Sequence, residues 1–299
     1  MEISGNALIE RTQGMSRTLR YDLTQLWPSE VGDQLYCEYK VHLRHTHPEV
    51  RLELLSLEQG EESHAALASQ AVPVTREEVE RSIKEGKKLA LCEWTLEGVF
   101  REVLIRGRPD FFAFEGDRAR STLDFKFSAA DRPFRSQEVQ ALVYAFLAES
   151  TGFEASELCY GIVLFPRPFR AATPQEGARV KDEKLRALQA DGTLVAISER
   201  CEAARASLVG TRLHRTVVEG DRWKAFLYRY DRTQAEKELG WALDFWLGAR
   251  EPIPERRYPR KCVACPFNAA NLCEHALESA DPRFVVERKP EGTFIRRSR

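Results

Sequence analysis

The sequence contains no long apolar stretch, since no run approaches the roughly 18 to 20 apolar residues that a membrane-spanning helix requires. It also lacks the Gly-x4-Gly-Lys-Ser/Thr phosphate loop, the HExxH zinc motif and the GxSxG nucleophile motif. These absences remove support for a nucleotide-driven motor, a zincin protease and a serine hydrolase. The first residues lack the basic and then apolar segments of a signal peptide. We therefore expect a cytoplasmic protein.

Excess charge of one sign is absent as well, because 45 Lys and Arg residues against 46 Asp and Glu residues give a formal net charge of -1. Binding to nucleic acid would therefore depend on local basic patches rather than on the overall field. The chain has 299 residues, of which 43% are hydrophobic, so it has ample material for a core. Its seven cysteines are an odd number, which argues against a disulfide framework in a reducing compartment.

Residues 107–127 predict a β-hairpin. Two Phe-rich strand patterns flank the turn signal Gly116-Asp117, and this turn sets Asp110 roughly opposite Asp124. Side chains alternate along a strand, so Asp124 and Lys126 share one face while the apolar residues at 123, 125 and 127 share the other. We expect Lys126 to face solvent.

Two carboxylates placed opposite each other across a sheet repel. A divalent metal ion removes the conflict, because carboxylate and carbonyl oxygens form a hard-ligand site. Lys126 would then lie beside the metal-bound water or the attacked phosphate, which outlines a hydrolytic site. The alternative is that Asp124 and Lys126 form an ordinary solvated ion pair.

Helical patterns precede and follow this hairpin. Residues 28–46 predict a helix that Ser29 caps and that carries Cys37, and residues 133–150 predict a helix with Gln140 and Tyr144 on one face. Further helices are predicted at 57–71, which contains Gly60 and His64, and at 75–88, 199–208 and 231–248. Strands are predicted at 89–96, 99–106, 110–114 and 120–127, as an antiparallel meander, and at 158–164, 192–198, 213–218 and 223–230.

Cysteines cluster near the C-terminus after a basic, Pro-rich linker at 252–261. Cys262 and Cys265 form a Cys-x2-Cys chelating pair, and Cys273 leaves a tetrahedral site one ligand short. Cys37 as the fourth ligand would join the two ends of the chain. His275 as the fourth ligand would instead form a local zinc knuckle.

The order of these motifs resembles the RecB-like branch of the PD-(D/E)XK nucleases that carry an iron–sulfur cluster. Within that branch it is most similar to the CRISPR-associated exonuclease family of spacer acquisition. The residues that carry the resemblance are Cys37, Gly60-x3-His64, Asp110, Asp124-x-Lys126, Gln140-x3-Tyr144, Cys262-x2-Cys265 and Cys273. The phrase from Pro28 to Glu38 is similar to that family's opening helix.

The resemblance implies an α/β (α+β) fold with a PD-(D/E)XK restriction-endonuclease-like core, a mixed sheet flanked by helices, and terminal helical elements that bind the iron–sulfur cluster. It implies a Mg²⁺- or Mn²⁺-dependent deoxyribonuclease, exonuclease or endonuclease, that prefers single-stranded DNA. The ligands of the catalytic metal ion would be His64, Asp110, Asp124 and the carbonyl of Phe125. The catalytic residues would be Asp110, Asp124, Lys126, Gln140 and Tyr144. A [4Fe–4S] cluster would be bound by Cys37, Cys262, Cys265 and Cys273.

Two departures from the family pattern stand out, namely the seven-residue gap between Cys265 and Cys273 and the extra length at residues 166–222. They leave open a RecB-like nuclease of repair, recombination or phage DNA processing with a helicase partner, in place of a role in CRISPR adaptation with an integrase partner. A third hypothesis is a non-catalytic nucleic-acid-binding subunit. The expected regions are an N-terminal helical segment (1–56), a nuclease core (57–165), an insertion or lobe (166–222), a C-terminal helix with the cysteines (223–275) and a basic tail (276–299).

Overall fold

Helices and strands both occur along the chain, and the computed structural model describes residues 17–53, 74–128, 130–166 and 192–297. The helices are α1 (Pro28–Tyr36), α2 (Glu38–Thr46), α3 (Arg76–Lys84), α4 (Arg135–Ser150), α5 (Thr193–Val209), α6 (Arg232–Trp246), α7 (Pro259–Val263) and α8 (Pro266–Ala269). The strands are β1 (Val50–Glu53), β2 (Lys88–Leu91), β3 (Leu96–Phe100), β4 (Val103–Gly107), β5 (Phe111–Glu115), β6 (Arg118–Ser128), β7 (Cys159–Pro166), β8 (Arg215–Glu219), β9 (Lys224–Arg229), β10 (Phe284–Lys289) and β11 (Gly292–Arg297). Within these ranges, no helix combines the length and apolarity that crossing a membrane requires.

A six-stranded mixed sheet organises these elements, in the order β2-β5-β6-β7-β9-β8. Strands β6 and β7 run parallel, while the other neighbouring pairs are antiparallel. Helix α4 connects β6 to β7, because two parallel strands need a crossover between them. The architecture is therefore mixed α/β, as the sequence predicted at this coarse level.

Both faces of the sheet are covered. On one face α4 packs with α1 and α6 in the main hydrophobic core, and most of α4 from Val139 to Ala148 is buried. On the other face α5 covers Leu123 and Phe125, which pack near Ile197 and Trp223. Strand β6 is consequently covered on both faces. In its C-terminal half, only the face toward α5 carries apolar side chains.

Local signals explain where several helices begin. Thr75 and Glu78 cap α3 reciprocally, with Glu78 N donating to Thr75 Oγ1 at 3.3 Å and Thr75 N donating to Glu78 Oε2 at 2.8 Å. Asp231 accepts a hydrogen bond from the backbone N–H of Gln234 at the start of α6. Ser29 does not cap the first helix as predicted: α1 begins at Pro28 and the residue before it, Trp27, is the N-cap.

Three further predictions were wrong. Residues 192–198 belong to helix α5 rather than to a strand. The predicted meander does not form, because β2 pairs with β5 while β3 and β4 make a separate two-stranded sheet. The continuous helix at 28–46 is broken at Cys37, whose extended backbone (φ -170°, ψ 112°) separates α1 from α2.

The C-terminal residues fold instead of forming a basic tail. Strands β10 and β11 form a hairpin, and β11 pairs in parallel with β1 near the other end of the described chain. Ile295 is fully buried and is opposite Leu52 on one side and Val286 on the other. This small sheet joins the two ends of the chain through main-chain hydrogen bonds.

Replacing Ile295 by alanine is expected to lower the free energy of unfolding by about 2–5 kcal/mol, because the lost methyl groups leave a cavity in this three-stranded sheet. Urea unfolding followed by circular dichroism measures the change. Arg296→Ala is the matched control, since Arg296 is exposed and its surface ion pair with Glu287 is expected to contribute about 0–1 kcal/mol. Equal midpoints for the two variants would contradict the folded C-terminal hairpin.

Candidate active site and cysteine-lined cavity

The hairpin of β5 and β6 positions two carboxylates. Its turn at Gly116-Asp117 uses a left-handed glycine (φ +58°), and the strands pair with Phe111 opposite Leu123. One step beyond that pair, Asp110 is opposite Asp124. The Oδ2 atom of Asp110 accepts a hydrogen bond from the backbone N–H of Phe125 at 2.5 Å, which holds the first carboxylate against the second strand.

Asp124 and Lys126 form an ion pair inside the fold. The distance from Lys126 Nζ to Asp124 Oδ2 is 2.8 Å, with 4% of the aspartate side chain and 23% of the lysine side chain exposed. The expectation that Lys126 faces solvent was therefore wrong, because β6 is an inner strand and α4 covers this face. Burial alone would lower the pKa of Lys126, but the carboxylates of Asp124 and Asp110 outweigh burial and raise it. Lys126 remains a cation at neutral pH.

Helix α4 adds two polar side chains one turn apart. Gln140 Nε2 donates to the hydroxyl of Tyr144 at 3.3 Å and, over a longer 3.5 Å, to Oδ1 of Asp124. Burial, followed by the nearby Asp124 carboxylate, raises the pKa of Tyr144 far above its ordinary value. Tyr144 therefore keeps its proton and is available as a hydrogen-bond donor beside the carboxylates.

Helix α1 also belongs to the surroundings of the site, which sequence reasoning missed. Gly32 packs so closely on α4 that an added Cβ would lie 3.0 Å from the carbonyl oxygen of Ser136 and 3.5 Å from Cβ of Gln140. On the next residue, the carboxylate of Asp33 acts on Lys126 and helps to raise its pKa. A glycine inside a helical sequence pattern indicates close packing against a neighbouring element. Gly32 was therefore the sequence signal that could have revealed the contact between α1 and α4.

His64 and Gly60 lie outside the described residues. The structure therefore brings together Asp110, Asp124 and Lys126 from the hairpin with Gln140 and Tyr144 from α4.

The four predicted cysteine ligands surround one cavity. Cys37 contributes from the break between α1 and α2, Cys262 lies in the last turn of α7, Cys265 is the N-cap of α8, and Cys273 follows α8. His275 also lines the cavity, so both candidates for the fourth ligand are present. The other cysteines lie elsewhere: Cys159 and Cys201 are buried in the fold, and Cys92 is partly buried.

Charged side chains line this cavity, and one of them, Glu255, pairs with Lys261. Lys40 and Lys261 both line it, and their ammonium groups lie 5.0 Å and 4.9 Å from the ring centroid of Tyr36. Burial raises the pKa of Cys265, and the cation of Lys40 opposes that shift. Lys40 therefore favours the thiolate form of Cys265 that metal binding requires.

Thiol interactions support the same grouping. Burial raises the pKa of Cys273, and the thiols of Cys265, Cys37 and Cys262 raise it further. Burial and these three thiols likewise raise the pKa of Tyr36 to about 12. Within the described ranges, however, no group of three or more His, Cys, Asp or Glu side chains has the geometry to hold a metal ion.

Comparisons with known proteins do not identify a family for this chain. No protein-family model matches the chain, and no curated protein matches it. A solved structure titled "Crystal structure of SSO0001" aligns with 92% of this chain and 96% of its own, at 13% sequence identity and a TM-score of 0.41. That degree of likeness defines no family, so function has to be inferred from the side chains of the site.

Replacing Lys126 by methionine is expected to destabilise the protein by about 3 kcal/mol at neutral pH in EDTA, because a buried carboxylate loses a cation. Adding Asp124→Asn to this variant should recover most of the lost stability, because neither charged side chain of the pair then remains. The raised pKa of Lys126 means that its contribution is complete below the ordinary value of 10.5 and is lost as pH rises through the higher folded value. Above neutral pH, the stability difference between wild type and Lys126→Met should therefore shrink only once the solution is strongly alkaline.

Urea unfolding of the two single variants and the double variant completes this thermodynamic cycle. Additive effects of the two substitutions, or a stability difference that already shrinks between pH 6 and pH 8, would contradict the buried ion pair.

Proposed function

We propose that the protein is a metal-dependent deoxyribonuclease that hydrolyses phosphodiester bonds, with single-stranded DNA as its preferred substrate. The observation that carries the proposal is that two carboxylates, Asp110 and Asp124, and the largely buried cation Lys126 share one face of the hairpin of β5 and β6. The sequence of elements around it, a hairpin, a crossover helix and a parallel strand, supports a PD-(D/E)XK-like core.

The donor set suits Mg²⁺ or Mn²⁺. Asp110 and Asp124 offer carboxylate oxygens across the hairpin, and the family resemblance adds the carbonyl of Phe125 and the side chain of His64. The carboxylate and carbonyl oxygens in this set are the hard ligands that Mg²⁺ and Mn²⁺ prefer. When bound, the metal ion would lower the pKa of a coordinated water and neutralise charge on the phosphate.

The chain's own residues would do the rest. Lys126 stays protonated, so its ammonium group is a fixed positive charge where negative charge develops on the phosphate oxygens. Gln140 holds the hydroxyl of Tyr144 and reaches Asp124, which orients both side chains before the substrate binds. The ion pair with Asp124 keeps the ammonium within 2.8 Å of a carboxylate oxygen. Preorganised charge of this kind requires little rearrangement during the reaction.

The cavity of Cys37, Cys262, Cys265 and Cys273 supports a second part of the proposal, a bound [4Fe–4S] cluster. Four cysteine thiolates are the usual ligands of such a cluster. Cys37, Cys262, Cys265 and Cys273 would hold the cluster, and all four line one cavity. We assign the cluster a structural role, because Cys37 belongs to the N-terminal helices and the other three ligands to the C-terminal region.

As the resemblance implies, we place this nuclease in CRISPR adaptation with an integrase as partner. The alternative setting is DNA repair, recombination or phage DNA processing, in which a chain without a motor motif would act with a helicase. Co-purification with an integrase or with a helicase separates the two settings.

The nuclease proposal predicts that wild-type protein, purified without oxygen, degrades labelled single-stranded DNA with Mn²⁺ and not with EDTA. Asp110→Asn and Lys126→Ala should each lower the rate at least about 100-fold, because each removes a group that acts on the reacting phosphate or its metal. Gel electrophoresis of the labelled strand measures the rate.

Asp117→Asn is the matched control, since it makes the same chemical change at the exposed turn of the same hairpin. It should retain wild-type activity. Undiminished cleavage by Lys126→Ala would contradict the site assignment. Intact DNA in every lane, from folded protein that holds its cluster, would favour a non-catalytic nucleic-acid-binding subunit.

The cluster proposal predicts a brown protein that contains about four iron atoms per chain, in keeping with a [4Fe–4S] centre. Cys37→Ser and Cys273→Ser should each lose iron and visible absorption, whereas Cys92→Ser should keep both because Cys92 lies outside the cavity. Iron and zinc analysis by mass spectrometry makes the comparison. Zinc without iron, retained in Cys37→Ser but lost in His275→Ala, would instead assign a local zinc knuckle.

A further inference from the structure

An exposed basic loop, which we define as residues 256–260, runs from the Pro-rich linker into the first turn of α7. Arg256, Arg257, Tyr258 and Arg260 are all exposed along it. Within the described ranges, none of the three arginines makes an ion pair with an acidic side chain. A run of unpaired cations on a protein whose net charge is close to zero is a local patch that attracts anions.

Glu255 holds the backbone of this loop in one shape. Its Oε1 atom accepts hydrogen bonds from the backbone N–H groups of Arg256, Arg257 and Tyr258 at 3.0, 2.7 and 3.3 Å. Its other oxygen pairs with Lys261 at 2.5 Å. The negative charge of Glu255 is therefore engaged by the backbone and by Lys261, and the arginine side chains remain directed to solvent.

Tyr258 gives the loop an aromatic surface. The ammonium group of Lys261 lies 5.1 Å from the centroid of its ring, yet 60% of the residue is exposed. A tyrosine ring that is fixed by a cation and otherwise open to solvent is suited to stacking against a planar group. Exposed aromatic rings among basic side chains are typical of surfaces that bind single-stranded nucleic acid.

Helix α1 links the end of the loop to the candidate active site. Lys261 Nζ donates to the carbonyl oxygen of Tyr36, the last residue of α1, at 2.8 Å. Four residues earlier on the same helix, or about 6 Å along its axis, Gly32 packs against Gln140 of the site. One helix thus contacts both Lys261, which follows the loop, and Gln140 of the site.

We propose that this loop, residues 256–260, is a binding site for single-stranded polynucleotide, with the arginines on phosphate groups and Tyr258 stacked on a base. The inference rests on the proposed function in one respect, that the strand bound by the loop is the strand whose phosphate reaches Asp110 and Asp124. The loop acts as an anchor for the substrate and takes no part in the bond-breaking step.

The test measures binding without cleavage. Fluorescence anisotropy of a labelled oligothymidylate is recorded in EDTA over a series of salt concentrations, with the cluster-loaded full chain. The triple variant Arg256→Ala, Arg257→Ala, Arg260→Ala should bind about 100-fold more weakly at 0.1 M salt. Its slope of log affinity against log salt should be shallower by about 2, because each phosphate contact to a single strand contributes about 0.7.

The matched control is Arg212→Ala, Arg215→Ala, Arg229→Ala, which removes three exposed arginines at the outer edge of the six-stranded sheet. It should bind like wild type. Tyr258→Ala should weaken binding roughly tenfold with an unchanged salt slope, and Tyr258→Phe should restore it, because stacking needs the ring rather than the hydroxyl.

Failure of this inference is distinguishable from failure of the proposed function. Equal losses in the loop variant and the control, or none in either, would overturn the loop as an anchor whether or not the wild type cleaves DNA. Loop-dependent binding by a protein that never cleaves would support the anchor and overturn the nuclease. Displacement of the oligonucleotide by polyglutamate at equal charge concentration, with no effect of Tyr258→Ala, would assign the loop to an acidic protein partner and overturn the inference.

Discussion

The buried pair of Asp124 and Lys126 is the interaction on which the site depends. Strand β6 lies inside the sheet, and a lone charge on its helix-covered face would be expensive to desolvate. The two opposite charges, 2.8 Å apart, offset that cost, and Gln140 reaches the carboxylate from α4. This ion pair also keeps Lys126 protonated and holds its ammonium group next to the Asp124 carboxylate. The Asp124–Lys126 pair therefore stabilises this part of the sheet and also provides two of the charged groups that the proposed chemistry uses.

The second constraint is the closure of the chain upon itself. Cys37 and three C-terminal cysteines line one cavity, and independently β1 pairs in parallel with β11. Helix α1 links this closure to the site, since Cys37 follows its last turn and Gly32 contacts Gln140. Loosening the join between the ends would shift α1, and a shift of α1 would move a side chain that orients the carboxylates. The proposed cluster would in this way act on the proposed catalytic site from a distance.

Sequence reasoning succeeded where the signals were local. The period-two pattern and the Gly116-Asp117 turn predicted the hairpin and the relative positions of its acidic residues, and the helical pattern from residue 75 predicted where α3 begins. It failed where the outcome depends on distant partners. The pairing of β2 with β5 skips two intervening strands, and the burial of Lys126 depends on α4 packing over it. The parallel pairing of β1 with β11 joins residues more than 200 positions apart, which no short-range pattern records.

The most direct test of the central claim is Mn²⁺ binding by the two carboxylates, measured by isothermal titration calorimetry on protein purified without free metal. We expect wild type and Asp117→Asn to bind Mn²⁺, and we expect Asp110→Asn and Asp124→Asn to lose that binding. The same experiment on Lys126→Met should show tighter binding, because the competing cation is gone. Equal Mn²⁺ binding by wild type and both site variants would contradict the assignment of Asp110 and Asp124 as a metal site.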